Sequence, residues 1–162
     1  MNKKIKSNEE MKKIVEGFKR QNKIVVTTNG CYDILHLAHI NLLNKLKSLG
    51  DVLIILLNSD SSIRSYKGQN RPIIPEQERA EMLAALESVD YVTLFNENKP
   101  LKILQELKPN IHTKGKQGES SRNEEERKLV ESWGGQLKEV DSGSFNSTTD
   151  IIKKILEAHK NE

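Results

Sequence analysis

The string Thr27-Thr28-Asn29-Gly30-Cys31-Tyr32-Asp33 runs into His36-Leu37-Ala38-His39. Two histidines three positions apart share one side of a helix, so both imidazoles could donate to oxygens of a single phosphate. Gly30 lets the chain turn close to a ligand, and the free N–H groups at the start of the following helix favour an anion. Three readings of the pair stand at this point: a phosphate site, a zinc site, or two ordinary surface or core histidines. Zinc would want a third and a fourth ligand, whereas the only other histidines are His112 and His159 and Cys31 is the sole cysteine. Cys31 reads as a small packing residue beside the loop.

Further along, Lys67-Gly68 and Arg71-Pro72 lie in a polar, proline-bearing stretch from Ser65 to Pro75, and Arg79 follows in Glu78-Arg79-Ala80. Each of these cations reads either as a phosphate-neutralising group or as a solvated surface charge. Ser147-Thr148-Thr149 precedes Ile151 and reads either as an N-cap or as a row of donors facing an anion. Trp133 reads as packing for the helix before Gly134-Gly135.

These groups need a scaffold, and the hydrophobic pattern supplies one. Met11, Ile14, Val15 and Phe18 recur at helical spacing between Asn8 and Arg20. Ile24 to Thr28, Val52 to Leu57, Tyr91 to Phe95, Ile111 to Thr113 and Gln136 to Val140 read as strands. Between them lie helical stripes: Ile40, Leu43 and Leu46; Ala80, Leu83, Ala84 and Leu86; Leu101, Leu104 and Leu107. Glu124 to Trp133 and Thr149 to His159 add two more helices, while Asn29-Gly30, Tyr66 to Pro75 and Lys114 to Asn123 read as loops. Strands alternating with helices need crossover connections. The expected fold is therefore α/β, with a five-stranded, mainly parallel sheet covered by helices on both faces. In such a sheet ligands bind beyond the carboxyl ends of the strands, which here carry Thr28, Asn58 and Lys114.

The chain has 162 residues, 35% hydrophobic and 30% charged, a length and balance suited to one soluble domain: an amphipathic helix within 1–22 and an α/β core over 23–162. The longest apolar run, Val52 to Leu57, falls far short of the ~20 residues of a membrane span. No apolar stretch follows the basic start, so neither a span nor a secretory signal is expected. A formal charge of +3 and scattered aromatics argue against a nucleic-acid partner. A single cysteine suits a reducing cytoplasm. A small-molecule enzyme is the leading class, with homodimer formation left open.

From Val25 to Gly115 the chain resembles the HxGH-type, cytidylyltransferase-like nucleotidylyltransferases, which are Rossmann-like enzymes joining an NTP to a phosphorylated acceptor. The resemblance is carried by Thr28-Asn29-Gly30-Cys31-Tyr32-Asp33-Ile34-Leu35-His36, Leu57-Asn58-Ser59-Asp60, Lys67-Gly68, Arg71-Pro72-Ile73, Glu78-Arg79-Ala80 and Val89-Asp90-Tyr91-Val92. Within that family these motifs look like those of the adenylyltransferases of ADP-heptose synthesis, and more distantly like those of the glycerol-3-phosphate cytidylyltransferases.

The resemblance implies roles residue by residue. His36 and His39 would contact the NTP phosphates and stabilise the transition state, with Lys67 as a mobile-loop cation. Thr28, Asn29, Gly30, Lys114, Gly115, Ser147, Thr148 and Thr149 would line the nucleotide, and Asp33, Asn58, Lys67, Arg71 and Arg79 would serve the acceptor. Mg²⁺ would arrive on the NTP phosphates, with no metal site of the protein's own. ATP and D-glycero-β-D-manno-heptose 1-phosphate are the implied substrates, CTP with glycerol 3-phosphate the alternative, and a nucleotide-binding module without activity the non-enzyme alternative. The chemistry fits such residues. A phosphate oxygen attacking an α-phosphorus brings two anions together, so positioned donors and cations do most of the catalysis and no covalent nucleophile is required.

Three positions depart from the family pattern. Ala38 replaces the glycine between the histidines, Lys114-Gly115 continues into Lys116-Gln117-Gly118 without an acidic residue, and Ser142 to Asn146 contains no arginine. The last two changes fall on surfaces that in the family help bind the nucleotide or the acceptor, and so bear on the choice of substrate more than on the reaction.

Overall fold

The computed structural model describes residues 2–115, 123–141, 143 and 147–160. Five strands form one parallel sheet in the order β3-β2-β1-β4-β5: β1 (Val25–Gly30), β2 (Val52–Asn58), β3 (Tyr91–Phe95), β4 (Ile111–Gly115) and β5 (Gln136–Val140). The helices are α1 (Asn8–Arg20), α2 (Leu37–Lys47), α3 (Asp60–Lys67), α4 (Glu76–Ala84), α5 (Leu101–Leu107), α6 (Glu124–Glu131) and α7 (Thr148–Ala158).

β2 shows why the layers form. All seven of its residues are buried, and side chains on a strand alternate between faces. Leu53, Ile55 and Leu57 thus join Leu43 and Leu46 of α2 and Ala80, Leu83 and Ala84 of α4 in one core. Val52, Ile54 and Leu56 join Met11 and Val15 of α1, Ile103, Leu104 and Leu107 of α5, and Val130 of α6 in the other. A continuous apolar run is what a strand covered on both faces requires. The helix expected between Asn8 and Arg20 is α1, opened by a capping box in which Ser7 Oγ accepts the Glu10 N–H and the Glu10 carboxylate accepts the Ser7 N–H.

The chain builds β1, β2 and β3 outward in one direction, then crosses back to lay β4 and β5 on the other side of β1. The strand order reverses between β1 and β4, and a crevice opens there at the carboxyl ends. The register sets Thr28 opposite Thr113, where Thr28 Oγ1 donates to the Thr113 carbonyl at 3.1 Å and Thr113 Oγ1 donates to the Thr27 carbonyl at 3.0 Å.

Two expectations need correction. β1 and β4 run two residues beyond their expected ends, so Asn29, Gly30, Lys114 and Gly115 are strand residues at the crevice rather than loop. A helix, α3, also precedes the loop expected from Ser65 to Pro75 and takes in Ser65, Tyr66 and Lys67, leaving 68–75 as the connection. α3 has eight residues and Ile63 is its one buried large apolar side chain, too little for a periodic stripe. Its start is fixed by Ser59 Oγ, which accepts the Ser62 N–H at 3.2 Å. Residues 116–122 of the expected loop after Lys114 lie outside the described residues, as do four of the five positions from Ser142 to Asn146. No helix among the described residues is long and apolar enough to cross a membrane.

Candidate active site at the strand-order reversal

After β1 the backbone takes left-handed conformations at Tyr32 (φ 49°) and Ile34 (φ 59°). A β-branched residue in this region is strained, and such strain persists only where surrounding bonds over-determine the loop. Those bonds converge on Asp33. Its carboxylate, 2% exposed as a residue, takes the guanidinium of Arg71 at 2.6 and 2.7 Å and the backbone N–H groups of Ile73 and Ile74 at 3.0 Å. Burial alone would push the carboxyl up, but the two amides and the Arg71 charge outweigh it and hold Asp33 below its ordinary value. The Asp33 carbonyl accepts from Thr148 Oγ1 at 2.7 Å, which docks the first turn of α7 onto the same loop. Gly30 is required by packing: a Cβ there would stand 2.9 Å from the Tyr32 ring.

The loop delivers His36 as the N-cap of α2 and His39 one turn later. Their rings stack at 3.9 Å between centroids, and the Tyr32 ring lies 5.1 Å from that of His39. The His36 backbone N–H donates to His39 Nδ1 at 3.4 Å. His39 is held neutral: burial, then His36, then the Lys67 charge lower its pKa to about 4. A neutral ring whose Nδ1 accepts must carry its proton on Nε2, so His39 has a donor to offer. His36 is lowered by burial as well, and its Nδ1 is buried without a hydrogen-bond partner among the described residues. A buried polar atom of this kind needs a partner, which an ordered water or a bound ligand would supply. Ala38, between the two, is buried, so the methyl that replaces the family's glycine adds to the packing of α2.

The remaining expected residues fall into two groups. Asn29, Lys114 and Lys67 keep polar groups at the crevice: Lys114 Nζ donates to Asn29 Oδ1 at 2.6 Å, and Lys67, exposed at the end of α3, is near enough to depress His39. The others serve the frame. Arg79 is fully buried, with its guanidinium on the carbonyls of Ile74, Cys31 and Asn58 and on the Asp60 carboxylate. Asn58 is buried and donates to Ser62 Oγ at 3.0 Å. Ser147 caps α7 in a capping box with Asp150, and Thr149 is exposed on the next position. Arg71 is spent on Asp33. Gly115 ends β4 beside Lys114. Sequence reasoning missed Glu126, which is buried and ion-paired to Lys114 at 2.7 Å. Nothing in the spacing links a residue on α6 to β4.

A zinc site finds no support in the geometry: His112 is fully buried with both ring nitrogens engaged, and among the described residues no three His, Cys, Asp or Glu side chains converge as a metal cage.

Residues 27–154 match the family model described as cytidylyltransferase-like. The chain is 45% identical over 157 residues to the "Bifunctional protein HldE" of Pelobacter propionicus and 45% identical over 160 residues to that of Geobacter metallireducens. Those alignments take in 96% and 98% of this chain but 32% of each relative, so the chain spans about a third of the length of the curated relatives it matches. Among solved structures, a lipopolysaccharide core biosynthesis protein from Thermoplasma volcanium is 33% identical with a TM-score of 0.63, covering 76% of this chain and 99% of that one. A pantoate-beta-alanine ligase from Francisella tularensis, complexed with beta-gamma ATP and beta-alanine, shares the fold at 19% identity, with a TM-score of 0.65 over 98% of this chain and 79% of its own.

Proposed function

The chain belongs to the cytidylyltransferase-like family, and we propose that it transfers the nucleoside monophosphate of an NTP, ATP before CTP, to a sugar phosphate, D-glycero-β-D-manno-heptose 1-phosphate before glycerol 3-phosphate. The observation that carries this is the stacked histidine pair at the N-terminus of α2, one nitrogen buried without a partner among the described residues and the other ring fixed as a donor, at the point where the strand order reverses. An oxygen of the acceptor phosphate attacks the α-phosphorus, the bond to the β-phosphate oxygen breaks, and pyrophosphate leaves. The charge that builds on the α-phosphoryl oxygens meets the imidazole donors and the α2 N-terminus, while Lys67 and Asn29 orient the phosphates. Mg²⁺ belongs to the substrate here, carried on the triphosphate. The naming of the HldE relatives and of the lipopolysaccharide core protein supports a heptose phosphate acceptor.

A pyrophosphate-release screen of the four NTPs against phosphorylated acceptors tests this reading. Release with ATP and the heptose 1-phosphate is expected to exceed every other pairing; a maximum with CTP and glycerol 3-phosphate would replace the substrates but keep the reaction, and silence across the panel would leave a binding module.

The connection from α3 to α4 adds a second test. The stretch from Ser65 to Pro75 is expected to be mobile without ligand and ordered with NTP, but Asp33 already holds Arg71 and the amides of Ile73 and Ile74. The ligand-dependent part is therefore Lys67 to Asn70. Hydrogen exchange should show these amides gaining protection with NTP and Mg²⁺ while those of Ile73 and Ile74 are slow throughout. Lys67→Ala should lower turnover and weaken NTP binding together. Equal exchange with and without nucleotide would leave Lys67 as a solvated charge.

A further inference from the structure

Beneath the crevice a line of polar side chains leads from the core to the site. His112 on β4 is 0% exposed; its Nδ1 lies 2.8 Å from Thr27 Oγ1 and its Nε2 3.1 Å from Glu126 Oε2. The same Glu126 oxygen lies 2.7 Å from Lys114 Nζ, which in turn donates to Asn29 Oδ1 at 2.6 Å. Glu126 comes from α6, Thr27 and Asn29 from β1, and His112 and Lys114 from β4, so the line spans the reversal point.

Protonation states follow from the partners. Burial, stronger than the pull of Glu126, lowers the His112 pKa and keeps the ring neutral. A neutral ring beside an acceptor-only carboxylate places its proton on Nε2, and Nδ1 then accepts from the Thr27 hydroxyl. Burial pushes the Glu126 carboxyl up, but the His112 hydrogen bond and the Lys114 charge outweigh it and keep it ionised. The Lys114 charge is thus balanced within the protein, and a balanced cation adds little net field to a site for a triphosphate. It does fix geometry. With Oδ1 held by the ammonium, the Asn29 amide has one orientation, its NH₂ on the side away from Lys114.

We propose that Glu126, held by His112, is a positioning residue for the nucleotide: it keeps Lys114 against Asn29, so that the Asn29 amide presents its N–H donors to a bound phosphate. The inference rests on the nucleotidylyl-transfer reading, and the sign of one substitution tests it. If Lys114 acted as a free charge on the triphosphate, Glu126→Gln would uncover that charge and tighten binding. Positioning predicts the reverse: the dissociation constant of Mg-ATP, measured by calorimetry, should rise about fivefold in Glu126→Gln, and by no more in Asn29→Ala/Glu126→Gln than in Asn29→Ala alone. Glu126→Asp keeps the charge but not the reach, and serves where the glutamine variant folds poorly. It too should weaken binding, whereas a purely electrostatic role leaves it unchanged. Tighter or unchanged binding in Glu126→Gln, or losses that add with Asn29→Ala, would overturn the inference while the wild type still binds nucleotide. A wild type that bound neither ATP nor CTP would overturn the nucleotide reading, and this inference with it.

Discussion

His36→Ala and His39→Ala are each expected to reduce turnover by roughly 10²–10³, the effect of deleting one preorganised donor to transition-state charge, about 2.7–4 kcal/mol. Folding should change far less. Neither ring belongs to the two apolar cores. His36 donates nothing to a described partner through Nδ1, so its removal leaves no protein group unsatisfied there. His39 does accept the His36 backbone N–H, so His39→Ala also removes part of a helix cap, about 1 kcal/mol. His39→Asn, which can keep the cap through its side-chain oxygen, separates the two effects: its stability should return toward wild type while its turnover stays low. Pyrophosphate release and thermal unfolding measured on the same preparations decide the matter. Unchanged kinetics in both alanine variants would end the catalytic assignment, and stoichiometric zinc in the purified protein would revive the metal reading.

The fold was legible because its signals are local. α1, α5, β3 and β5 lie where periodicity places them, and β2 announces a doubly covered strand by its unbroken apolar run. α3 was not legible, since one buried isoleucine in eight residues has no period. The candidate site divides in the same way. The histidine pair, Gly30 and Asn29 are neighbours in sequence, so their spacing speaks for them. Arg71, Arg79 and Asp33 carry charges that read as ligand groups, and only the tertiary structure reveals that each charge is met by the protein: Arg71 by Asp33, Arg79 by Asp60 and three carbonyls. A charge in a motif does not say which partner it serves. The pairing of His112 with Glu126 lay beyond sequence reasoning for the same reason, because it depends on how α6 packs over β4.

Arg79→Ala is expected to destabilise the protein by about 3–5 kcal/mol, the cost of breaking a buried ion pair by removing one partner. For a chain of this length that corresponds to a fall of roughly 6–20 °C in Tm, at about 2–4 °C per kcal/mol. The magnitude follows from what is left behind. Asp60, whose side chain is 20% exposed, loses the guanidinium at 2.8 Å, and the carbonyls of Cys31, Asn58 and Ile74 lose donors at 2.5, 3.0 and 2.9 Å. These acceptors stand after β1, at the end of β2 and before α4, so one planar group ties together three segments at the carboxyl edge of the sheet. Arg79→Lys should recover little, because an ammonium on a single-ended stem cannot meet four acceptors arranged around a fork. The two roles open to Arg79 then separate cleanly. A frame residue loses Tm in both variants, and turnover falls with the fraction folded and with the shape of the loop bearing Asp33. A residue that touches the acceptor would keep its Tm and raise KM for the sugar phosphate alone; that result would return Arg79 to the binding surface.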